Sequence, residues 1–550
     1  MLDDIPIGIK LVHVVVGCLQ SALLGGVLFG WPSLNSFLTE TVGEGPRLSS
    51  QAVFVMFVLA TFFSGVSPIT FGILQEATGP RAASVVAHLL FISGCLLFSQ
   101  SDLQSPMYLP AVCLLAFSGP GAHASVMCVT NLFTPQFKGL FTLLLTMSFH
   151  LSFAMFFIVD QLWFNYQFNY HDIFDGYAVV VSLSMVLSLL LWPDSSYDLH
   201  SWRSREGKFE MLSTISSHGS PPVSETTTVE SPLFTDGGHS PNHSPTPSLG
   251  LPPSTPTSSY ADSRAVEARL SAAKPYHRIH EAPLAVQLQS RAFIHLVIFF
   301  VLSSLWANLY LGTLVWQLGD IFGKSVSEEY SGQLALVMAS GLFCTPICAA
   351  LLGGHGQDSL GFPALAGIVA TSCLAWSLLQ LTGGKASITA AFYCYAVFRS
   401  TLYTYAYSFV ADVFGQSSFG IVVGLLHASS GVVGLAQLPL GWFAVGSCHN
   451  ASTTLAAQIC TRGRWGVIFF SQAVTCLGLL YVAYFDWTLR RKSEERVARI
   501  TRDLASFRKH SKIIARYGAT TADAVSSGAG VELFGRGRSG TTSTEATRYV

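Results

Sequence analysis

Long apolar runs separated by short polar connections recur along the whole chain. They lie near residues 11–37, 51–74, 82–100, 108–132, 139–159, 177–192, 292–317, 332–352, 363–382, 387–412, 419–446 and 465–486. Crossing the hydrocarbon core of a bilayer takes about 20 apolar residues in a helix. These twelve runs fall six and six around a polar stretch. The pattern predicts an all-α membrane protein with twelve transmembrane helices in two six-helix halves. Residues 1–192 form the first bundle, 193–290 a disordered connecting loop, 291–488 the second bundle and 489–550 a basic tail. The first run follows only ten residues, is too long for a signal h-region and lacks a small-residue cleavage site. It therefore reads as retained.

Composition supports this reading. Only 11% of the 550 residues are charged and 50% are apolar, against roughly 25% charged in a soluble protein. Mean hydropathy is +0.47. So little polar surface cannot clothe a soluble globule of this size, and lipid must cover it. The net charge of −1 and the lack of a basic stripe, Walker loop or dinucleotide fingerprint argue against nucleic acid as a partner and imply no cofactor. Most of the eleven cysteines lie inside apolar runs and read as packing residues.

Lys10, Arg81, Lys138, Arg203, Arg205, Arg291, Arg490, Arg491 and Lys492 fall on one side of the predicted membrane, with Arg47, Lys324, Lys385, Arg462 and Arg464 on the other. The positive-inside bias puts both termini in the cytoplasm, with the plasma membrane as the default location. The loop before the last span holds the sequon Asn450-Ala451-Ser452 between Cys448 and Cys460. On the outer face these are candidates for a glycan and a disulfide. The 193–290 stretch is Ser/Thr/Pro-rich, and Ser220, Ser231, Ser240, Ser244, Thr246 and Thr255 each precede proline. It reads as a solvated tether, and its Ser/Thr-Pro sites are candidate targets for kinases. In the tail, Val497, Ile500, Leu504 and Phe507 recur at helical spacing, as in a helix lying on a membrane surface.

A repeat relates the two halves. After the second run comes GILQEATGPR, with Gly72, Glu76 and Gly79; after the eighth comes GHGQDSLG, with Gly354, Asp358 and Gly361, each 282 residues further on. Phe133 and Gly139 are matched at nearly the same offset by Phe414 and Gly420. The pattern resembles the loop motif of the major facilitator superfamily, with Glu76 standing where that superfamily more often has Asp. The resemblance implies the major facilitator fold. It also implies that Glu76 and Arg81, with Asp358, stabilise one state of a gate. The alternative is a well-packed helix turn without switching.

A finer resemblance is to solute carrier family 43, the system-L-like large neutral amino acid transporters, and their protist and fungal relatives. GVLFGWPSL (26–34), LWANLYLGTL (305–314) and FRSTLYTY…FVADVFGQSSFGIVVGLL carry it, helped by GPR (79–81) and TNLF (130–133). It covers nearly all of the membrane portion but neither the central loop nor the tail. It implies sodium-independent uptake or exchange of neutral amino acids. One branch of that family is associated with purine nucleobases, so membership does not fix the substrate.

A substrate in such a protein sits near mid-membrane between the halves, marked by polar residues in apolar helices. Candidates are Gln20 and Ser21 in the first span, Asn131 ending the fourth, Trp306, Asn308 and Thr313 in the seventh, and Arg399 and Tyr403 in the tenth. Ser148 and the histidines His13, His123, His150 and His427 are weaker candidates, because membrane histidines are commonly satisfied by a neighbouring helix. Gly17, Gly25, Gly26 and Gly30 read either as helix-packing residues or as a backbone break that frees polar groups. Arg399 lies in the middle of FYCYAVFRSTLYTYAYSF, with Tyr395, Tyr403 and Tyr407 at four-residue spacing on one side. A central arginine costs about 2.5–3.5 kcal/mol to insert, so it needs a partner. Glu76, Asp102, Asp160, Asp320, Asp412 and Asp486 all fall at span ends or in loops. Two readings of Arg399 stand: a fork awaiting a visiting carboxylate, or a structural pin held by tyrosine hydroxyls and carbonyls. The same lack of a mid-depth acid favours facilitated diffusion or exchange over ion coupling. Three functions compete: a transporter of neutral amino acids, a transporter of nucleobases or a monocarboxylate, and a non-transporting nutrient sensor. No catalytic constellation is visible, which points away from an enzyme.

Overall fold

The computed structural model describes residues 6–39, 48–102, 107–133, 135–194, 279, 282–353, 361–415, 418–445 and 454–526. Most of the 193–290 stretch, along with Gly354, Asp358, Cys448 and Asn450, lies outside them. In chain order the helices are α1 Ile7–Gln20, α2 Trp31–Thr39, α3 Ser50–Thr78, α4 Pro80–Ser99, α5 Tyr108–Val126, α6 Pro135–Leu151, α7 Met155–Phe164 and α8 Tyr170–Leu191. They continue with α9 Leu284–Leu288, α10 Arg291–Phe322, α11 Lys324–Ser340, α12 Cys344–Gly353, α13 Gly361–Thr382, α14 Lys385–Val413, α15 Phe419–Gly434, α16 Gln437–Val445 and α17 Thr454–Ser526. The described residues up to Leu489 form one compact unit, and residues 490–526 belong to a second. Within the second unit, residues 490–526 are helical. The side chains of Val497, Leu504 and Phe507 lie outside the described residues.

Local chemistry sets the helix ends. Ser49, Asn169 and Ser290 each accept a backbone N–H at the start of α3, α8 and α10, satisfying a donor that the first turn leaves orphaned. Gly79 ends α3 with φ 88° and Gly323 ends α10 with φ 93°, a conformation that favours glycine. Pro80 then opens α4, where its missing N–H costs nothing. The second and seventh spans thus hand over to their successors through the same device.

Eleven helical stretches among the described residues are long and apolar enough to cross a membrane, so the protein is a multi-pass membrane protein. The tenth run of the sequence is α14, 29 residues long. It falls short of that criterion because its polar and aromatic residues lower its hydropathy; Tyr395, Arg399, Ser400, Thr401 and Tyr405 among them are buried inside the bundle. The sixth span begins earlier than its apolar run, at Tyr170, because the Asn169 cap starts the helix in polar sequence.

The chain's two halves pack together around the end that carries Ser36. The Ser36 and Ser331 hydroxyls lie 3.2 Å apart there, and the Phe54 and Trp316 rings meet at 5.3 Å. Along one flank α3 and α15 run almost backbone to backbone. A Cβ on Gly65 would come 2.8 Å from Gly431 Cα, and one on Gly424 would come 2.8 Å from Ile69 Cα. In lipid, such contacts associate helices through close van der Waals packing rather than through the hydrophobic effect.

At the opposite end, Arg81 donates from Nε to Trp192 O at 2.6 Å and pairs with Asp194 at 2.7 Å. The ion pair of Arg81 is therefore with the end of the sixth span, while Glu76 is exposed. A Cβ on Gly72 would meet nothing within 4 Å. Cys460 is disulfide-bonded, and Cys373 and Cys476 are joined across α13 and α17. That second pair lies inside apolar runs, so those two cysteines do more than pack.

Candidate functional site

The first, fifth and eighth spans are each broken, and these breaks lie near one level. Between α1 and α2 the first span passes through a π turn at Ser21–Gly25 and a 3-10 turn at Val27–Gly30. Between α6 and α7 the fifth span passes through a 3-10 turn at Ser152–Ala154, and between α11 and α12 the eighth does so at Gly341–Phe343. A break unpairs backbone groups, which membranes tolerate only where protein re-satisfies them or a cavity needs them. Here Gly26 N–H donates to Ser152 Oγ at 2.7 Å, one break satisfying another. Gly119 of α5 presses on the same place, where a Cβ would come 2.5 Å from Leu24 O.

The breaks place aromatic rings. Phe29 packs edge-on against Phe153 at 5.1 Å and reaches Tyr403 of the other half at 6.4 Å. Phe149 lies 4.7 Å from the ring of His123, whose Nδ1 is 3.0 Å from Ser21 Oγ. A Cβ on Gly341 would meet Ser400 Oγ, with His150 at 3.5 Å. The first, fifth, eighth and tenth spans thus converge.

Arg399 sits in their midst, 1% exposed. Its guanidinium carbon lies 4.0 Å above the Phe29 ring and 5.6 Å from that of Tyr403, cation–π contacts that offset part of the cost of burying the charge. Nη1 and Nη2 both donate to Asn308 Oδ1 at 3.3 Å; Nη1 also donates to Tyr395 Oη at 3.0 Å and Nη2 to Tyr403 Oη at 3.5 Å. Tyr395 in turn donates to the carbonyl of Ala307 at 2.9 Å, which fixes its hydroxyl as an acceptor for the arginine. These acceptors are neutral, and all four bonds exceed the about 2.7–2.9 Å of a charge-assisted pair. Nε is buried without a protein partner. Below Tyr403 lie Phe300, at 5.6 Å, and His427, whose Nε2 is 2.8 Å from Tyr407 Oη. The arrangement is a buried cation, loosely held, with aromatic walls from both halves: chemistry suited to a carboxylate on an apolar or flat body.

Of the residues expected from sequence, the structure brings Arg399, Tyr403 and Asn308 together, with Ser21 near them through His123. Gln20 is elsewhere. It is fully buried, donating to Ser184 O at 3.0 Å and Ser188 Oγ at 2.8 Å and accepting from Trp192 Nε1 at 3.1 Å. Its side chain is satisfied inside the first half. Asn131 lies in the 3-10 turn Met127–Leu132, whose Cys128, Val129 and Leu132 enter the small core around Trp192. Thr313 bonds back to Leu309 O at 2.7 Å. Trp306 is buried, two residues and so about 200° round the helix from Asn308. Sequence reasoning missed Phe29 and the Gly341–Ser400 contact; the break at Gly25–Gly26 was the signal for the first, and nothing local marks the second.

No family model matches the chain. Among curated proteins, Protein FMP42 of Saccharomyces cerevisiae is 28% identical over 206 residues, covering 34% of this chain and 41% of the relative. Amino acid transporter 6-1 of Toxoplasma gondii is 23% identical over 380 residues, covering 67% of this chain and 57% of the relative. The chain thus spans about half the length of the curated relatives it matches. Among solved structures, it is similar to the peptide transporter POT in complex with sulfate, with TM-score 0.55, 12% identity, and 87% of this chain and 95% of that one covered. It is also similar to a POT family transporter in complex with 5-aminolevulinic acid, with TM-score 0.52, 11% identity, and 89% and 97% covered. The chain has the fold of a membrane transporter.

Proposed function

We propose that the protein transports neutral amino acids, branched or aromatic, by alternating access without sodium, as a uniporter or exchanger. The observation that carries this reading is Arg399: a buried cation between the halves, bonded to neutral groups and with Nε unpartnered. A substrate carboxylate gives it the anionic partner that the tenth span's neighbours do not. The substrate's side chain then lies among Phe29, Phe300 and Tyr403. The curated relative named as an amino acid transporter agrees with this class. Glu76, Asp102, Asp320 and Asp412 lie at helix ends, which favours facilitated diffusion or exchange. Both termini face the cytoplasm and the plasma membrane is the site, with Asn450 glycosylated outside and the Ser/Thr-Pro loop open to kinases inside. The repeat Gly72, Glu76, Gly79 and Arg81, with Gly354, Asp358 and Gly361, belongs to the cytoplasmic gate in this reading.

The aromatic walls favour one second cargo, a nucleobase, which would stack on Phe29 or Tyr403 with a ring oxygen on Arg399. Purified protein in liposomes, tested with labelled leucine, phenylalanine, arginine and adenine, decides. Leucine or phenylalanine flux that persists without sodium or a pH gradient supports the proposal. Flux of adenine alone moves the assignment to nucleobases, and no flux of any of them rejects transport of these solutes.

A further inference from the structure

Serines buried in this bundle commonly return their hydroxyl to the helix's own backbone. Ser118 bonds Leu114 O at 2.7 Å, Ser331 bonds Ser327 O at 2.8 Å and Ser377 bonds Cys373 O at 2.8 Å. Such back-bonding satisfies a hydroxyl where no water reaches. Ser304 of α10 departs from this, as do Ser33, Ser67 and Ser303. Ser304 is 2% exposed, yet its Oγ has no partner in the protein.

Its position gives the departure meaning. Residues at i, i+4 and i+8 share one side of a helix, so Phe300, Ser304 and Asn308 form one row. The ends of that row are placed by their contacts: Phe300 meets Tyr403 at 5.6 Å, and Asn308 accepts from the Arg399 fork at 3.3 Å. Ser304 therefore stands opposite the turn of α14 between Arg399 and Tyr403. Arg399 Nε is likewise a buried donor without a partner among the described residues, whereas the unpartnered Ser303 hydroxyl lies one residue, and so about 100° round the helix, from this row. A buried polar group without a partner costs free energy, and here two donors with that cost face the same space from two helices.

We propose that Ser304 is a substrate-binding residue, its hydroxyl donating to the carboxylate that Arg399 holds, so that one acceptor group satisfies both donors. This rests on the amino acid reading above. It makes the site selective for the carboxylate itself, because an alcohol in its place cannot accept from the serine and the guanidinium with a full charge.

Equilibrium binding of leucine and of leucinol, which carries an alcohol in place of the carboxylate, tests this on the full-length purified protein. The expectation is that the wild type prefers leucine. Ser304→Ala should weaken leucine by about tenfold, the scale of one hydrogen bond to a charged group, and leave leucinol unchanged. Ser304→Thr, which keeps the hydroxyl, should stay within about threefold of wild type on the same scale. Thermal unfolding of each variant without ligand separates a binding defect from a folding one. If the wild type prefers leucine and Ser304→Ala keeps that preference undiminished, Ser304 does not contact the carboxylate and the proposal is overturned while the Arg399 reading stands. If the wild type binds leucine and leucinol equally, the Arg399 reading fails and this proposal fails with it. Weakening of both ligands to the same degree by Ser304→Ala also overturns it, since it marks a structural role.

Discussion

Replacing Arg399 with lysine keeps the charge and removes the fork. In the structure the two terminal nitrogens share Asn308 Oδ1 at 3.3 Å, and they divide Tyr395 at 3.0 Å and Tyr403 at 3.5 Å between them. A lysine ammonium has three donors on one atom and cannot span those partners while also gripping both oxygens of a carboxylate. The loss is at least one hydrogen bond between charged groups, worth about 1.5–3 kcal/mol, which converts to about a 10- to 100-fold weaker affinity. The ammonium is also more strongly hydrated, which makes its burial over Phe29 costlier. Leucine uptake into liposomes measured across substrate concentration should therefore show a half-saturation value raised by that factor, with protein that stays folded and monodisperse. Arg399→Lys uptake within about threefold of wild type, on the same affinity scale, would refute the carboxylate clamp. The structural-pin reading would then stand, with Asn308 and the tyrosines as resident partners.

Other positions give sharper contrasts. Phe29→Ala removes the ring 4.0 Å below the guanidinium; the lost cation–π contact, about 0.5–2 kcal/mol, should weaken leucine binding by about 3- to 30-fold in the same uptake assay. Gln20→Leu strands Trp192 Nε1, while Ser188 keeps Ser84 and Ser184 O as partners, so thermal unfolding should show a loss of about 1–3 kcal/mol with leucine affinity unchanged. Gly119→Leu drives a Cβ to within 2.5 Å of Leu24 O. That forces backbone to move at the break and should cost about 1–3 kcal/mol or more in stability together with transport. Asp194→Ala should shift the melting temperature little, because its partner pair with Arg81 has a carboxylate that is 79% exposed and such pairs contribute about 0–1 kcal/mol.

The spans were legible because crossing a bilayer demands a fixed length of apolar chain, and Arg399 because a charge in such a run stands alone. Asn308 was legible as a polar residue in apolar sequence, though not as the acceptor for both arginine nitrogens. Gln20 shows the limit of that signal. It looks like Asn308 in sequence, but its partners Ser184, Ser188 and Trp192 are more than 160 residues away, and only tertiary packing turns it inward to them. Phe29 is one of 39 phenylalanines, and its meeting with Arg399 depends on how two halves dock. The break at Ser152–Ala154 carries neither glycine nor proline. It forms because Ser152 turns its hydroxyl to Phe149 O while accepting from Gly26 N–H, a contact with another span. The motif glycine Gly79 was legible as a helix end, whereas the partner of Arg81 was not, since Asp194 lies 113 residues beyond it.

The central claim is that a neutral amino acid docks its carboxylate on Arg399 between the two halves. An experimental structure of the full-length protein with leucine bound tests it most directly. The expected result is a leucine carboxylate at about 2.7–2.9 Å from the Arg399 guanidinium nitrogens, with the isobutyl group among Phe29, Phe300 and Tyr403. Leucine bound elsewhere, or bound with its carboxylate turned away from Arg399, would contradict it.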